Sequence, residues 1–176
     1  VGLLSLYAAC QGARLVVGLE PELEGSEPNT LSKFEAMIDF LELKRIVVAL
    51  PVTLQEYDAE PSSFDVVLMH NSINHLNEEA CINLQHSHEA LEKYKSILGK
   101  TSTLLKPGGV IVITDSSRYN FWSLLGMRNP FAPSIEWHKH QSPAFWASLL
   151  SYFGFTNPRV SWLGFNNYPN LGRLFR

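Results

Sequence analysis

The sequence predicts an α/β fold: a doubly wound, mostly parallel sheet with helices on both faces. Helix-like and strand-like segments alternate along the 176 residues, and this alternation is typical of βαβ units. In addition, residues 110–114 form a β-branched, apolar run after Pro107 and two glycines. Such a run is typical of a strand that is covered on both faces.

The periodic spacing of apolar residues and the positions of glycine and proline predict the individual helices and strands. Ser32 and Glu35 have the spacing of a capping box for the second helix. Ser142 and Pro143 are a cap and a first helical residue for the last helix, which Gly154 ends. The predicted elements in chain order are helix 3–11, strand 14–19, helix 31–41, strand 46–50, strand 64–69, helix 78–99, strand 110–114, helix 143–153 and strand 160–165.

Composition narrows the class of protein. Lysine and arginine number 14 against 17 aspartates and glutamates, so the formal charge is 14 − 17 = −3. This balance argues against a general nucleic-acid or membrane-surface binder. No apolar run reaches about 18 residues, so no transmembrane segment is expected. Two cysteines without a metal-ligand pattern favour a reducing, cytoplasmic location. We expect one domain over 1–176.

Polar residues follow three of the predicted strands. Ligands of parallel sheets bind at the carboxyl ends of the strands, where Glu20, His70, Asn71 and Asp115 stand. Glu20 could accept hydrogen bonds from the two hydroxyls of a ribose, although a solvated loop carboxylate explains it as well. Gly2 opens the first helix, where a glycine lets a ligand approach the backbone N–H groups.

Histidines supply the candidate bases. His70 and His75 could act as a general base or orient a substrate, although packing and hydrogen bonding to the backbone also explain such residues. Glu136, His138 and His140 have metal-like composition, and alternation would place them on one side of an extended segment. No further His/Cys cluster supports a metal there, so substrate contact is the favoured interpretation.

Four segments together resemble class I S-adenosylmethionine-dependent methyltransferases of the small-molecule type. Residues 2–21, from Gly2 to Glu20-Pro21, resemble the second half of the first motif of that family. Phe-Asp-Val-Val-Leu at 64–68 resembles its fourth-strand motif, and Ile-Asn-His-Leu at 73–76 is similar to the segment that often follows. Leu-Lys-Pro-Gly-Gly at 105–109 is the most recognisable of the four.

The resemblance implies a Rossmann-like fold and methyl transfer from S-adenosylmethionine to a small-molecule, sugar or lipid acceptor. It implies that Gly2, Glu20, Pro21, His70 and Asn71 contact the cofactor, with no metal. The candidate bases are then His70, His75 and His138. The aromatic-rich residues 116–141 would cover the acceptor.

Two departures from the family keep an alternative open. The first strand and most of the Gly-rich loop of the family would precede Val1, so we expect the fold to be incomplete at its N-terminus. The family often has an acid just after its third strand, whereas residues 49–53 read Ala-Leu-Pro-Val-Thr. A catalytically silent relative that binds a partner is therefore the leading alternative. A nicotinamide-dependent oxidoreductase should instead show G-x-G-x-x-G after a first strand.

Overall fold

The computed structural model describes residues 2–22, 28–128, 130 and 135–162. Its secondary structure is mixed α/β, with two short parallel sheets among helices. Contacts between Cα atoms group the chain into two compact units, Val1–Glu60 and Pro61–Arg176. Within the described ranges, no helix combines the length and the apolar character needed to cross a bilayer. The expectation of a single domain stays a prediction.

The first unit alternates helix and strand as the sequence predicts. Its elements are α1 (Leu3–Cys10), β1 (Val16–Leu19), α2 (Thr30–Phe40) and β2 (Val47–Leu50). The two strands pair in parallel, with Val16 opposite Val47 and Leu19 opposite Leu50. A small apolar core joins the helices to the sheet; it contains Leu6, Ala9, Phe34, Ile38 and Val47.

The predicted capping box of α2 is wrong. Asn29, in the left-handed conformation with φ +59°, precedes the first helical residue, and its side chain caps no backbone N–H. Ser32 and Glu35 both lie inside the helix. Asparagine tolerates the left-handed region better than other side chains do. The Glu22 carboxylate accepts the Leu31 N–H at 2.9 Å, so a more distant acid caps the first turn of α2.

The second unit contains the remaining elements. They are β3 (Phe64–His70), a 3-10 turn (Ile73–Leu76), α3 (Glu78–Asn83), α4 (His88–Leu104), β4 (Leu105–Thr114), α5 (Phe121–Leu124), a second 3-10 turn (Trp137–Lys139) and α6 (Pro143–Ser151). The side chain of Ser142 accepts a hydrogen bond from the Phe145 N–H, and Pro143 opens α6, as predicted. Val160–Trp162 form no strand, and residues 163–165 lie outside the described residues.

The helix predicted over 78–99 is two helices. α3 ends at Asn83, and Ser87 has extended backbone geometry with φ −123° and ψ 121°. The Ser87 hydroxyl accepts the Ala90 N–H and so caps α4. Serine favours such a cap over a helix interior because its side chain competes for backbone N–H groups. A capping signal therefore interrupts an otherwise continuous helical pattern.

The Lys-Pro-Gly-Gly segment forms an irregularity within β4 rather than a turn before it. β3 and β4 pair in parallel, and the register changes between Phe64, opposite Leu105, and Val66, opposite Val110. Residues 106–109 therefore stand opposite Asp65 alone. Lys106 Nζ binds both Asp65 carboxylate oxygens at 2.9 Å. A Cβ atom on Gly109 would lie 2.9 Å from the Lys106 carbonyl oxygen, so the tight path requires glycine.

The expectation that residues 110–114 are buried on both faces is wrong. Val110 is 53% exposed, and its neighbour Val66 is 55% exposed. Side chains alternate along a strand, so these residues share one accessible face with Leu68 and Val112. The opposite face contains the buried Met69. A continuous apolar run thus does not by itself identify a strand that is covered on both sides.

Candidate functional site

The carboxyl ends of β3 and β4 lie side by side in the second unit. His70 is opposite Thr114 in the register, and its Nδ1 shares a hydrogen bond with the Thr114 hydroxyl. The Asn71 N–H donates to the Thr114 carbonyl oxygen at 2.8 Å, with Asn71 in the left-handed region at φ +49°. Both His70 and Asn71 are exposed. The strand ends therefore present polar groups at one edge, as the parallel arrangement requires.

Directly after β4, Asp115 pairs with His140. Nδ1 of His140 lies 3.0 and 3.1 Å from the two Asp115 carboxylate oxygens. The side chains are only 13% exposed for His140 and 6% for Asp115. Among the described residues, Nε2 of His140 has no hydrogen-bond partner. This Asp–His pair is enclosed, whereas His70 and Asn71 are exposed.

The backbone around His140 is fixed by side chains from elsewhere in the unit. Arg118 donates from Nε to the His140 carbonyl oxygen at 2.6 Å and from a terminal nitrogen to the His138 carbonyl oxygen at 2.8 Å. The Cys81 thiol donates to the Lys139 carbonyl oxygen at 3.3 Å. Gln141, 1% exposed, donates to the Cys81 carbonyl oxygen at 2.6 Å. We call residues 135–141 the covering segment.

The groups beneath the covering segment are apolar or neutral. Burial raises the pKa of the Cys81 thiol to about 11, so the thiol stays protonated at neutral pH. Burial also raises the pKa of the Tyr94 hydroxyl well above its ordinary range. The Tyr94 hydroxyl donates to the Ile73 carbonyl oxygen at 2.8 Å. Neither group carries charge beside Asp115 at neutral pH.

His75 belongs to a separate network of ion pairs. Its Nδ1 contacts a Glu78 carboxylate oxygen, and its Nε2 lies 3.4 Å from the Asn74 side-chain nitrogen. Lys139 binds the other Glu78 oxygen at 3.1 Å. The hydrogen bond from Lys139 lowers the pKa of Glu78, partial burial opposes this, and the His75 contact lowers it further. Both ring nitrogens of His75 are engaged, which weakens its case as a free base.

The predicted extended arrangement of Glu136, His138 and His140 is wrong. Trp137–Lys139 form a 3-10 turn, so the side chains do not alternate along a straight segment. Glu136 pairs with Lys139 at 2.8 Å, whereas His140 pairs with Asp115 and the His138 residue is exposed. In the described part of the chain, no three His, Cys, Asp or Glu residues are grouped so that they could hold a metal ion.

Packing accounts for Gly2 in the first unit. Gly2 has φ +73°, and a Cβ atom there would overlap the ring of Phe34, which belongs to the core of the unit. Both the backbone conformation and the space therefore require glycine. A ligand is not needed to explain this residue, and its contact with a cofactor stays a prediction.

Glu20 directly follows β1, and its backbone continues the parallel ladder. The Glu20 N–H donates to the Leu50 carbonyl oxygen at 2.9 Å. One carboxylate oxygen accepts the Glu22 N–H at 3.2 Å, and the residue is half-buried, as is Pro21. The other carboxylate oxygen accepts no hydrogen bond from the residues that the structure describes.

The sequence did not predict the Asp115–His140 pair, although it pointed to both residues separately. Asp115 was conspicuous as the acid after an apolar strand, and His140 as part of Glu-Trp-His-Lys-His. The two residues are 25 positions apart, so no local spacing rule could join them. An isolated acid at a strand end and a histidine in a distant aromatic segment were the available signals.

Searches against models of protein families and against curated proteins gave no match for this chain.

Proposed function

We propose that the protein is a class I, Rossmann-like enzyme that transfers a methyl group from S-adenosylmethionine to a small-molecule, sugar or lipid acceptor. The motifs at 2–21, 64–76 and 105–109 support this proposal by their order and spacing. The structure adds parallel strand pairs whose carboxyl ends lead into Glu20, His70 and Asp115. A doubly wound sheet that unites these strands is part of the proposal.

One observation carries the proposal: Glu20 offers a half-buried carboxylate at the end of a parallel strand. Its backbone is fixed to Leu50, and within the described ranges one carboxylate oxygen accepts a long hydrogen bond from the Glu22 N–H while the other accepts none. A vicinal diol needs an acceptor of this kind, and charged acceptors form the stronger hydrogen bonds. The donor set of a ribose therefore fits this position.

His70, Asn71 and the covering segment would position the cofactor and the acceptor. S-adenosylmethionine, when bound, supplies a methyl group that its sulfonium already activates. The protein then needs mainly to orient the acceptor and, for a protonated acceptor, to remove a proton. His70 and Asn71, exposed at the end of β3, are the proposed contacts between cofactor and acceptor. The covering segment would limit access of water to the acceptor.

Isothermal titration calorimetry with S-adenosylmethionine tests the proposal on the complete chain. The wild type should bind, and Glu20→Gln should weaken binding by about 10- to 100-fold, because a charged hydrogen bond is worth roughly 1.5–3 kcal/mol. Glu35→Gln, an exposed acid within α2, is the matched control and should bind like the wild type. Equal affinity of the Glu20→Gln variant would remove Glu20 from the site.

A catalytically silent, partner-binding relative is the second candidate function. It is favoured by the lack of an acid at 49–53 and by the packing that already accounts for Gly2. The same titration distinguishes the two functions. Binding of S-adenosylmethionine supports the enzyme, and a wild type that gives no binding heat and no thermal shift with S-adenosylmethionine supports the silent relative.

A further inference from the structure

We propose that His140, oriented by Asp115, is the general base that removes a proton from a hydroxyl group of the acceptor. This inference rests on the proposed function and makes it more specific, since it names both the base and the class of acceptor. None of the three candidate bases from the sequence, His70, His75 and His138, has the same combination of a charged partner and burial.

The contact with Asp115 selects the form of the imidazole that can accept a proton. With the carboxylate at 3.0 and 3.1 Å from Nδ1, the neutral ring carries its proton on Nδ1, where it donates to Asp115. Nε2 is then the acceptor, and it has no partner among the described residues. The carboxylate lies beside the ring that becomes positively charged when Nε2 takes a proton.

The other histidines lack this arrangement. His70 is exposed, and the partner of its Nδ1 is the neutral Thr114 hydroxyl. His75 has both nitrogens engaged, by Glu78 and by Asn74. His138 is exposed, and the recorded hydrogen bond of this residue is made by its carbonyl oxygen. A base that acts in a site from which water is excluded should be both enclosed and oriented.

The charges around His140 come from several elements. Asp115 contacts the ring from the end of β4, and the Arg118 guanidinium binds the His140 carbonyl oxygen. Cys81 of α3 and Tyr94 of α4 interact electrostatically with Asp115 but are neutral at ordinary pH. Lys139 carries its charge toward Glu78 and Glu136. Asp115 is thus the charged side chain recorded in contact with the ring.

The chemistry of the step indicates a hydroxyl acceptor. The acceptor oxygen forms a bond to the methyl carbon, the carbon–sulfur bond breaks, and its electron pair stays on sulfur as a neutral thioether. The hydroxyl proton passes to Nε2 of His140, which avoids a positively charged oxygen in the product. A neutral amine can attack with its own lone pair and lose its proton later. A positioned base therefore matters most for an alcohol or a phenol.

Transfer of radiolabelled methyl from S-adenosylmethionine to matched phenols and anilines tests the inference. We expect phenols to be methylated, with kcat lowered roughly 10²- to 10⁴-fold in His140→Gln. In Asp115→Asn the loss should be smaller, because the imidazole remains. His86→Gln, an exposed histidine outside the site, should retain wild-type kcat.

Nitrogen NMR of the histidine rings supplies a readout that does not depend on turnover. The wild type should show His140 with its proton on Nδ1, and Asp115→Asn should lose this preference. A wild-type chain that fails to bind S-adenosylmethionine overturns the proposed function together with this inference. Binding with transfer only to anilines, with no transfer, or with unchanged kcat in a folded His140→Gln variant overturns the inference alone.

Discussion

The ends of β3 and β4 are neighbours in one sheet, yet they present different chemistry. At the end of β3, His70 and Asn71 are exposed. At the end of β4, Asp115 is 6% exposed at its side chain and paired with an enclosed His140. The two ends share the parallel register that brings His70 opposite Thr114. Backbone topology is therefore common to both ends and does not explain the difference.

The difference comes from the covering segment. Residues 135–141 contact the β4 end through the His140–Asp115 pair. Arg118 and Cys81 donate hydrogen bonds to carbonyl oxygens of this segment. Gln141 of the segment donates in turn to the Cys81 carbonyl oxygen. The Asp115 side chain there is only 6% exposed, and its partner His140 is 13% exposed. A strand end in a parallel sheet thus supplies position, whereas the segment packed over it supplies burial and a histidine partner.

The largest expected effect comes from removing the hydrogen bonds that Arg118 donates to the covering segment. Arg118→Ala should lower the free energy of unfolding by about 2–3 kcal/mol, because charge-assisted hydrogen bonds to two carbonyl oxygens are lost. His70→Ala at the β3 end should cost no more than about 1 kcal/mol, because the side chain is exposed. Urea denaturation followed by circular dichroism measures both values.

Arg128→Ala is the charge-matched control for this comparison. Arg128 is exposed, and its replacement should change stability by less than about 0.5 kcal/mol. Equal losses in the free energy of unfolding for Arg118→Ala and His70→Ala would mean that the covering segment does not stabilise the β4 end more than the β3 end is stabilised.

Reactivity of the two cysteines gives the next largest effect. Cys81 is 0% exposed, and its pKa rises from 9.0 to about 11, so its thiolate fraction at neutral pH is about a hundredfold below that of an ordinary thiol. Cys10 is exposed. Labelling with a disulfide reagent should therefore show one fast thiol per chain, which Cys10→Ser removes.

The Cys81 thiol also reports on the covering segment, since it donates to the Lys139 carbonyl oxygen. Arg118→Ala should accelerate the slow labelling phase, and Cys81→Ser should abolish it. Two fast thiols in the wild type would show that the segment does not protect the β4 end.

Much of the local structure follows from short-range signals in the sequence. α1, β1, β2 and α6 lie within a few residues of their predicted positions because their periodicity and caps are local. The break between α3 and α4 depends on Ser87 as a cap, and serine within a helical pattern is ambiguous. Exposure of one face of β4 could not be predicted, because an apolar run does not reveal which neighbours pack against it.

The candidate site, too, could be predicted from the sequence only in part. Glu20 in the first unit and His70 and Asp115 in the second could be found because each is a polar residue at the carboxyl end of an apolar strand. The partner of Asp115 could not, because His140 is 25 residues away and reaches it through the tertiary contacts of Arg118 and Gln141. Proximity in sequence predicted the strand ends, whereas packing across the unit places His140, which was not among the candidate bases, against Asp115.

The smallest expected effect concerns the ion pairs that Glu78 makes with His75 and with Lys139 of the covering segment. The pKa of Glu78 in the folded protein lies below its ordinary value of 4.5, chiefly through the Lys139 hydrogen bond. Its carboxylate therefore contributes stability that is complete above the ordinary value and is lost as pH falls through the lowered pKa. The side chain is 41% exposed, so solvent screening limits the contribution to less than about 1 kcal/mol.

Glu78→Gln should lower Tm slightly at pH 7 and leave it unchanged near pH 3. Glu79→Gln, at an exposed position, should match the wild type at both pH values. A Tm difference for Glu78→Gln that is the same at both pH values would show that the carboxylate charge does not contribute, and that Lys139 is held by Glu136 alone.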